Sequence, residues 1–393
     1  MRLSICILIQ ACLATDRPNV LFIMLDDMGW SNVGFHNPSV LSTPFLDAMS
    51  KSENAMELTN MYTTPRCSPS RAAFLTGVYP YRYGMGSSAL KVSDLPLGLN
   101  LNMTLLPEIM KKEGNYSTHM IGKWHLGHAD VAELPHSRGF DSFYGFYEAE
   151  ADYFTHTRSV GRGKPGGHAE GRHVYRNETG PVDVSGRYMT RDLTREAKKT
   201  LLTKNGHSKF IYLPYQAPHY PVSAPDGTKK KLAEIYAKAG IATNDKMLTF
   251  HGAMHVIDQG IKELWNAAKL LERETIIVVT TDNGGGGFEG GCNFPYRGVK
   301  QRFLEGGIKA TTLVMSTQRT FPKRRDTDMM YVLDWFPTVL GMAGIDAPSE
   351  NGGFSVDGVD FSSRFGQTER TVAEPRDRFI VGVVHEFVHK SKH

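Results

Sequence analysis

The stretch Asn19-Val20-Leu21-Phe22-Ile23-Met24-Leu25-Asp26-Asp27 decides the fold, because a short apolar run ends abruptly in two carboxylates. A second run, Thr275-Ile276-Ile277-Val278-Val279-Thr280-Thr281, is rich in β-branched residues and ends in Asp282-Asn283. Runs of this kind, with no polar alternation, read as strands buried on both faces of an α/β sheet. Two more end the same way. Tyr116 to Ile121 leads into Gly122-Lys123-Trp124-His125, and Phe210 to Tyr215 leads into Gln216-Ala217-Pro218-His219. Helices are predicted between the strands at Thr43 to Lys51, Leu105 to Glu113, Tyr188 to Lys199 and, over a long amphipathic stretch, Lys246 to Glu272.

In such sheets ligands bind beyond the carboxyl ends of the strands. Four strands therefore deliver carboxylates, an amide, a lysine and two histidines to one edge of one sheet. Asp26, Asp27, Asp282 and Asn283 form an all-oxygen set, which suits a hard divalent cation, Ca2+ or Mg2+, rather than zinc. Elsewhere the chain reads Thr64-Pro65-Arg66-Cys67-Ser68-Pro69-Ser70-Arg71, followed by Leu75-Thr76-Gly77. Pro69 suits the first turn of a helix and Gly77 its end. Cys67 then lies just before a helix N-terminus, where free N–H groups and the helix dipole favour an anion such as sulfate. Its polar neighbours make a poor pocket for a small buried hydrophobe.

At 393 residues with 40% hydrophobic content, the chain is expected to bury a sizeable core as one large domain. The net charge of +4 is mild and the basic residues are not gathered into one run, so no nucleic-acid partner is expected. Residues 1–14, with Arg2, a short apolar stretch and Ala14, read as a signal peptide too short to span a bilayer. The sequons Asn102-Met103-Thr104, Asn115-Tyr116-Ser117 and Asn177-Glu178-Thr179 agree with the secretory pathway, lysosomal or extracellular. Loss of the signal removes Cys6 and Cys12, leaving Cys67 and Cys292, and Cys292 is expected to be a free thiol. The Gly-, Arg- and His-rich stretch from Thr155 to Arg187 reads as a long surface excursion of the kind that shapes substrate choice, with His156, His168 and His173 as loop residues. Phe379 to Val384 reads as one more strand of the main sheet, and 387–393 as a short polar tail.

The segment around Cys67 resembles the signature by which sulfatases have a cysteine oxidised to formylglycine, a Cys followed by Pro two residues on and Arg four residues on, with Leu-Thr-Gly downstream. Gly122-Lys123-Trp124-His125-Leu126-Gly127 resembles the family's second signature. Gln216-Ala217-Pro218-His219, and Arg297-Gly298-Val299-Lys300 followed by Glu305-Gly306-Gly307, resemble the segments that supply a sulfate-binding His and a late Lys. From Pro18 to about Asp360 the pattern is most similar to the arylsulfatase B-like branch, which includes N-acetylgalactosamine-4-sulfatase.

The resemblance implies an alkaline-phosphatase-like fold, with a mixed, mostly parallel sheet flanked by helices and a catalytic domain over residues 18–386. It implies hydrolysis of sulfated sugars or aryl sulfates, one Ca2+ per chain held by Asp26, Asp27, the modified Cys67, Asp282 and Asn283, and a formylglycine-generating enzyme as maturation partner. Its catalytic positions fall on Cys67, Arg71, Lys123, His125, His219, Asp282 and Lys300. The implied chemistry is attack on sulfur by the hydrated aldehyde with Asp282 as base, departure of the alcohol helped by His219 and Lys300, and release of sulfate with the proton passing to His125. The family's C-terminal subdomain, a small antiparallel sheet with a helix, is expected to be largely missing. Two alternatives stay open. One is a phosphodiesterase of the same superfamily, against which the cysteine motif counts; the other is a binding protein that keeps the scaffold without turnover, against which the intact site residues count.

Overall fold

Strand β1 (Asn19–Leu25) lies at the centre of the sheet, and all seven of its residues are buried. The computed structural model describes residues 17–86, 97–160, 169–172, 174–177, 180–184, 186–366 and 376–381. Among these, nine strands form the main sheet. After β1 they are β2 (Ala55–Leu58), β3 (Ser117–Lys123), β4 (Ser142–Phe146), β5 (Tyr175–Arg176), β6 (Lys209–Pro214), β7 (Thr275–Thr281), β8 (Leu313–Ser316) and β9 (Arg325–Asp326). Their order is β9-β2-β8-β7-β1-β6-β3-β4-β5. The five from β7 to β4 are mutually parallel, whereas β8 and β5 run antiparallel to β7 and β4. The sheet is therefore mixed and mostly parallel, as expected.

Eight helices are described: α1 (Pro44–Met49), α2 (Cys67–Thr76), α3 (Leu106–Gly114), α4 (Met189–Leu202), α5 (Asp226–Lys238), α6 (Asp245–Ala268), α7 (Glu305–Ile308) and α8 (Trp335–Met342). Because strand side chains alternate between faces, β1 sends Val20, Phe22 and Met24 into one core with α2, α3 and α8, and Leu21, Ile23 and Leu25 into another with α4 and α6. Covering both faces explains why β1 and β7 carry no polar alternation. In the first core Phe22 stacks on Phe74 of α2 with centroids 4.1 Å apart and meets the edge of Trp335 at 5.3 Å. Such aromatic pairs add about 0.5–1.5 kcal/mol each beyond the area they bury. They hold α2, and so Cys67, against β1.

The predicted helices at 43–51, 105–113, 188–199 and 246–272 appear as α1, α3, α4 and α6, each shifted by a few residues. The stretch from 155 to 187 carries more order than a plain loop: Thr157–Val160 pairs with Ala169–Arg172, and Tyr175–Arg176 joins the sheet as its edge strand β5. His156 is buried with Nε2 against the Arg187 carbonyl at 2.7 Å, away from any ligand role, while His168 and His173 lie outside the described residues. Of the expected strand at Phe379 to Val384, residues 382–384 lie outside the described residues. Residues 379–381 form no strand; instead Phe379 stacks on Tyr331 at 4.7 Å and packs at a tilt against Tyr62 at 4.9 Å, and side-chain packing takes the place of ladder hydrogen bonds. The expected signal peptide at 1–14 and tail at 387–393 lie outside the described residues. Asn102, Asn115 and Asn177, the three sequon asparagines, are exposed. No helix among the described residues is long and apolar enough to cross a membrane.

Candidate active site

Asp26 and Asp27 follow the last residue of β1, Asp282 and Asn283 follow β7, Lys123 ends β3, and His219 lies in the loop after β6. These strands are parallel neighbours in the order β7-β1-β6-β3, so their carboxyl ends open on one edge. Cys67 is the first residue of α2, one position further into the helix than the sequence suggested. Gly77 ends that helix at φ +71, and its N–H donates to the Ala73 carbonyl at 2.9 Å. A Cβ on Gly77 would meet the Phe336 ring at 2.5 Å, so the residue serves the backbone conformation and the packing together. Gly122 does similar work beside Lys123. A Cβ there would fall 2.1 Å from the Pro214 carbonyl oxygen, in the neighbouring strand β6.

The side chains converge. Arg71, fully buried, donates through Nε and an Nη to Asp282 Oδ2 at 3.1 and 2.8 Å, and through the same Nη to Asp26 Oδ2 at 3.1 Å. Its other Nη donates to the Lys123 carbonyl at 3.1 Å. The Lys123 ammonium donates to Asp26 Oδ2, and the Cys67 thiol lies 3.4 Å from Asp26 Oδ1. Lys300 spans the two carboxylates, 2.6 Å from Asp27 and 3.9 Å from Asp26. Asn283 donates to Asp27 at 2.7 Å, and His219 Nε2 stands 3.7 Å from Asp27 Oδ2. Nine of the predicted positions thus share one network. The tenth, His125, is buried two residues beyond Lys123 with φ +58, its N–H bonded to the Tyr147 carbonyl at 2.9 Å.

Electrostatics follow from this crowding. Burial pushes the Asp26 carboxyl up, but Lys123, His219, Lys300 and Arg71 together hold it well below the usual range. Asp282 moves the other way, to about 6, through burial and the neighbouring Asp26 charge, against the pull of Arg71. Burial, reinforced by Asp26, pushes the Cys67 thiol up to about 12, so unmodified Cys67 is a thiol and not a thiolate. Burial and Lys300 drive His219 down to about 3 despite Asp26 and Asp27, leaving its ring neutral. Its Nδ1 is 2.6 Å from the Tyr220 carbonyl, which requires the proton there, so Nε2 turns a lone pair toward the Asp27 carboxylate.

Two acceptors facing each other call for a cation, and further observations agree. Oδ1 of Asp282 and Oδ1 of Asn283 are buried without a hydrogen-bond partner, although buried acceptors are nearly always satisfied. Single donor atoms of Asp26, Asp27, Cys67 and His219 lie within 4.8 Å of one another. That group includes His219, expected to face sulfate, and it does not include Asp282 or Asn283, whose unsatisfied oxygens belong to the same network. The oxygens of Asp26, Asp27, Asp282 and Asn283 fit a hard divalent ion, whereas the Cys67 thiol and the His219 ring alone would not select one.

A cavity of about 550 Å3 opens above Asp27, His219 and Lys300. Its rim carries Arg66, Tyr220, Glu289, Gln301 and Arg302, none of which the sequence reading singled out. The N–H of Gln301, at φ +72, donates to the Pro65 carbonyl at 2.7 Å and ties the Lys300 loop to the Cys67 loop. Two supports of His219 were also missed. Tyr153 donates to the His219 carbonyl at 2.9 Å, and Gln216 exchanges two hydrogen bonds with the Ala151 backbone at 2.7 and 2.8 Å. Gln216 stood in a quoted segment, whereas nothing local marks Tyr153.

Comparison with known proteins places this geometry. The sulfatase family profile matches residues 18–345. The chain belongs to the sulfatase family. The chain is 32% identical over 333 residues to arylsulfatase J of Mus musculus, covering 84% of this chain and 53% of that protein. It is 28% identical over 367 residues to N-acetylgalactosamine-6-sulfatase of Homo sapiens, covering 88% of this chain and 65% of that one. The chain thus spans about half to two thirds of the length of the curated relatives it matches. Among solved structures, Ps i-CgsB in complex with k-i-k-neocarrahexaose superposes with a TM-score of 0.77 at 27% identity, covering 89% of this chain and 77% of the other. A protein of the alkaline phosphatase superfamily from Vibrio parahaemolyticus shares the fold, with a TM-score of 0.56 at 19% identity over 88% of this chain and 70% of the other.

Proposed function

We propose that this chain hydrolyses sulfate esters, of sulfated sugars or aryl alcohols, at the edge of the sheet where β1, β7, β3 and β6 end. The observation that carries the reading is the convergence of Arg71, Lys123, Lys300 and His219 on a buried carboxylate cluster beside Cys67. A sulfate ester is anionic, and a nucleophile approaching it is repelled unless cations spread the charge of its oxygens. Lys123 is a buried and Lys300 a half-buried ammonium group, held in place by Asp26 and Asp27, so they need no reorganisation to meet that charge.

Cys67 as it stands is a protonated thiol and a weak nucleophile. Oxidation to formylglycine would supply an aldehyde whose hydrate offers one hydroxyl to attack sulfur and a second to expel sulfate afterwards. Asp26, Asp27, Asp282, Asn283 and residue 67 would hold Ca2+, which supplies Lewis-acid neutralisation of the sulfate oxygens. Asp282, raised toward neutrality and with one oxygen unengaged, takes the proton of the attacking hydroxyl. Lys300 carries its charge firmly and donates to the leaving oxygen. The arriving anion favours protonation of His219, making Nε2 a second donor. His125 takes the proton released as sulfate departs.

The exposed sequons support passage through the secretory pathway, to a lysosomal or extracellular destination, with a formylglycine-generating enzyme met on the way. Placement in the arylsulfatase B-like branch rests on the quoted motifs. The test is to express the chain in cells that contain the modifying enzyme and analyse the Cys67 peptide by mass spectrometry. Formylglycine at residue 67, and hydrolysis of an aryl sulfate that vanishes in Cys67→Ala, are the expected results; cysteine throughout, or turnover that survives the substitution, refutes the reading.

A further inference from the structure

A second cavity, about 680 Å3, lies between α4, α5 and α6, the helices on the side of the sheet away from α2. Its wall carries Arg191, Arg195 and Lys198 from α4, Lys231 from α5, and a single carboxylate, Glu263, from α6. None of these lines the cavity above Lys300. Arg191, Arg195 and Lys198 are spaced at i, i+4 and i+7, so they share one helix face over about 10 Å. Lys231 faces them from the next helix. The first turn of α5 contributes Gly227 and Thr228, which turns the positive end of a thirteen-residue helix toward the same space.

Three of these four cations are weakly committed. Arg191 donates to the Thr228 hydroxyl at 3.3 Å, and Lys198 is 3.9 Å from Glu263 with both side chains substantially exposed, a pair worth little. Arg195 pairs with Asp192, while Lys231 has no carboxylate partner among the described residues. Burial lowers the pKa of His255 on the groove floor, and the charges of Lys231 and Arg191 lower it further, as expected where positive fields from two helices overlap. An open groove with dispersed cations suits an extended polyanion better than a single small anion. No Phe, Tyr or Trp lines it, so it offers no platform for stacking nucleic-acid bases.

The groove also adjoins the catalytic edge. The loop that carries His219 continues directly to Pro225 at the start of α5, and Tyr188, just before α4, donates to the Ser223 carbonyl of that loop at 2.7 Å. We propose that this groove is a second, non-catalytic binding site for a sulfated polysaccharide. The choice of polymer rests on the sulfatase reading, whereas binding in the groove does not require turnover.

The test measures binding of the full chain to immobilised chondroitin sulfate, to the same polymer after chemical desulfation, and to single-stranded DNA of matched charge. In Arg191→Gln/Arg195→Gln/Lys198→Gln/Lys231→Gln, affinity for chondroitin sulfate should fall at least about tenfold, while aryl sulfate turnover matches the parent. Lys231→Glu alone should lose affinity in the same direction and guards against misfolding of the fourfold variant. Unchanged affinity in both variants, equal binding of the desulfated polymer, or tighter binding of DNA overturns the proposal. A charge-dependent loss of binding by a chain that hydrolyses no sulfate ester upholds the groove and sinks the catalytic reading instead.

Discussion

Asp282 and Asp334 are both carboxylates without solvent exposure, and each faces an arginine, yet their surroundings are opposite. Asp334 is saturated. Oδ2 accepts from the Tyr331 N–H at 2.7 Å and from Arg376 Nε at 3.0 Å, while Oδ1 accepts from the Val359 N–H at 2.8 Å and from an Nη of Arg376. Asp282 spends one oxygen on Arg71 and leaves Oδ1 buried without a hydrogen-bond partner. A buried charge that serves only the fold is wrapped by donors on both oxygens; one with an empty acceptor stores binding capacity for something that arrives later.

The sharpest way to break this contrast is Asp282→Asn, which keeps the shape and removes the charge. Aryl sulfate turnover should fall about 10³-fold, near 4 kcal/mol of barrier, while the melting temperature holds or rises. A melting loss as large as the activity loss would make Asp282 structural after all. Arg376→Ala is the converse: it strands Asp334 as an unpaired buried charge and should cost about 3–5 kcal/mol in urea unfolding, with calcium affinity unchanged. Calcium itself should stabilise the parent by about 2.7 kcal/mol at a hundredfold excess over its dissociation constant, and by almost nothing in Asp27→Asn, as read by calorimetry with and without chelator.

The smallest effect concerns Asp258 on α6, a third buried carboxylate. It accepts the Phe45 and Leu46 N–H groups at the start of α1, yet burial outweighs them and pushes it up to about 7. The folded chain then binds this proton more tightly than the unfolded chain, whose value is near 3.8. Stability from this group is therefore greatest at acid pH and declines as pH rises from about 4 through 7. Asp258→Asn should flatten that slope in melts across the range; an unaltered slope would show that the charge is better solvated than its burial implies.

The contrast between the two arginine-bound carboxylates was only half legible in the sequence. Asp282 could be read because it ends an apolar run, and a strand end has one predictable destination at the edge of a parallel sheet. Asp334 could not, since beyond the local Tyr331 N–H its partners come from residues 359 and 376, which only tertiary folding brings to it. The same divide explains the rest. α8 escaped prediction because every residue of Trp335–Met342 is buried, leaving no amphipathic period to detect. Phe379 to Val384 has the composition of a strand, but described residues 379–381 follow the aromatic surface of Tyr331 and Tyr62 instead of a neighbouring strand. Tyr153 supports His219 through one hydroxyl, with no local pattern to announce it.

Cys67 is 2% exposed, closed in by Asp26 on one side and by the helix it begins on the other. The proposed oxidation of this side chain would need access to a segment whose Pro69 and Arg71 are also buried in the finished fold. On that reading the modification would precede the meeting of β1 and α2. Chains that folded first would keep the thiol, and specific activity would then record the order of the two events.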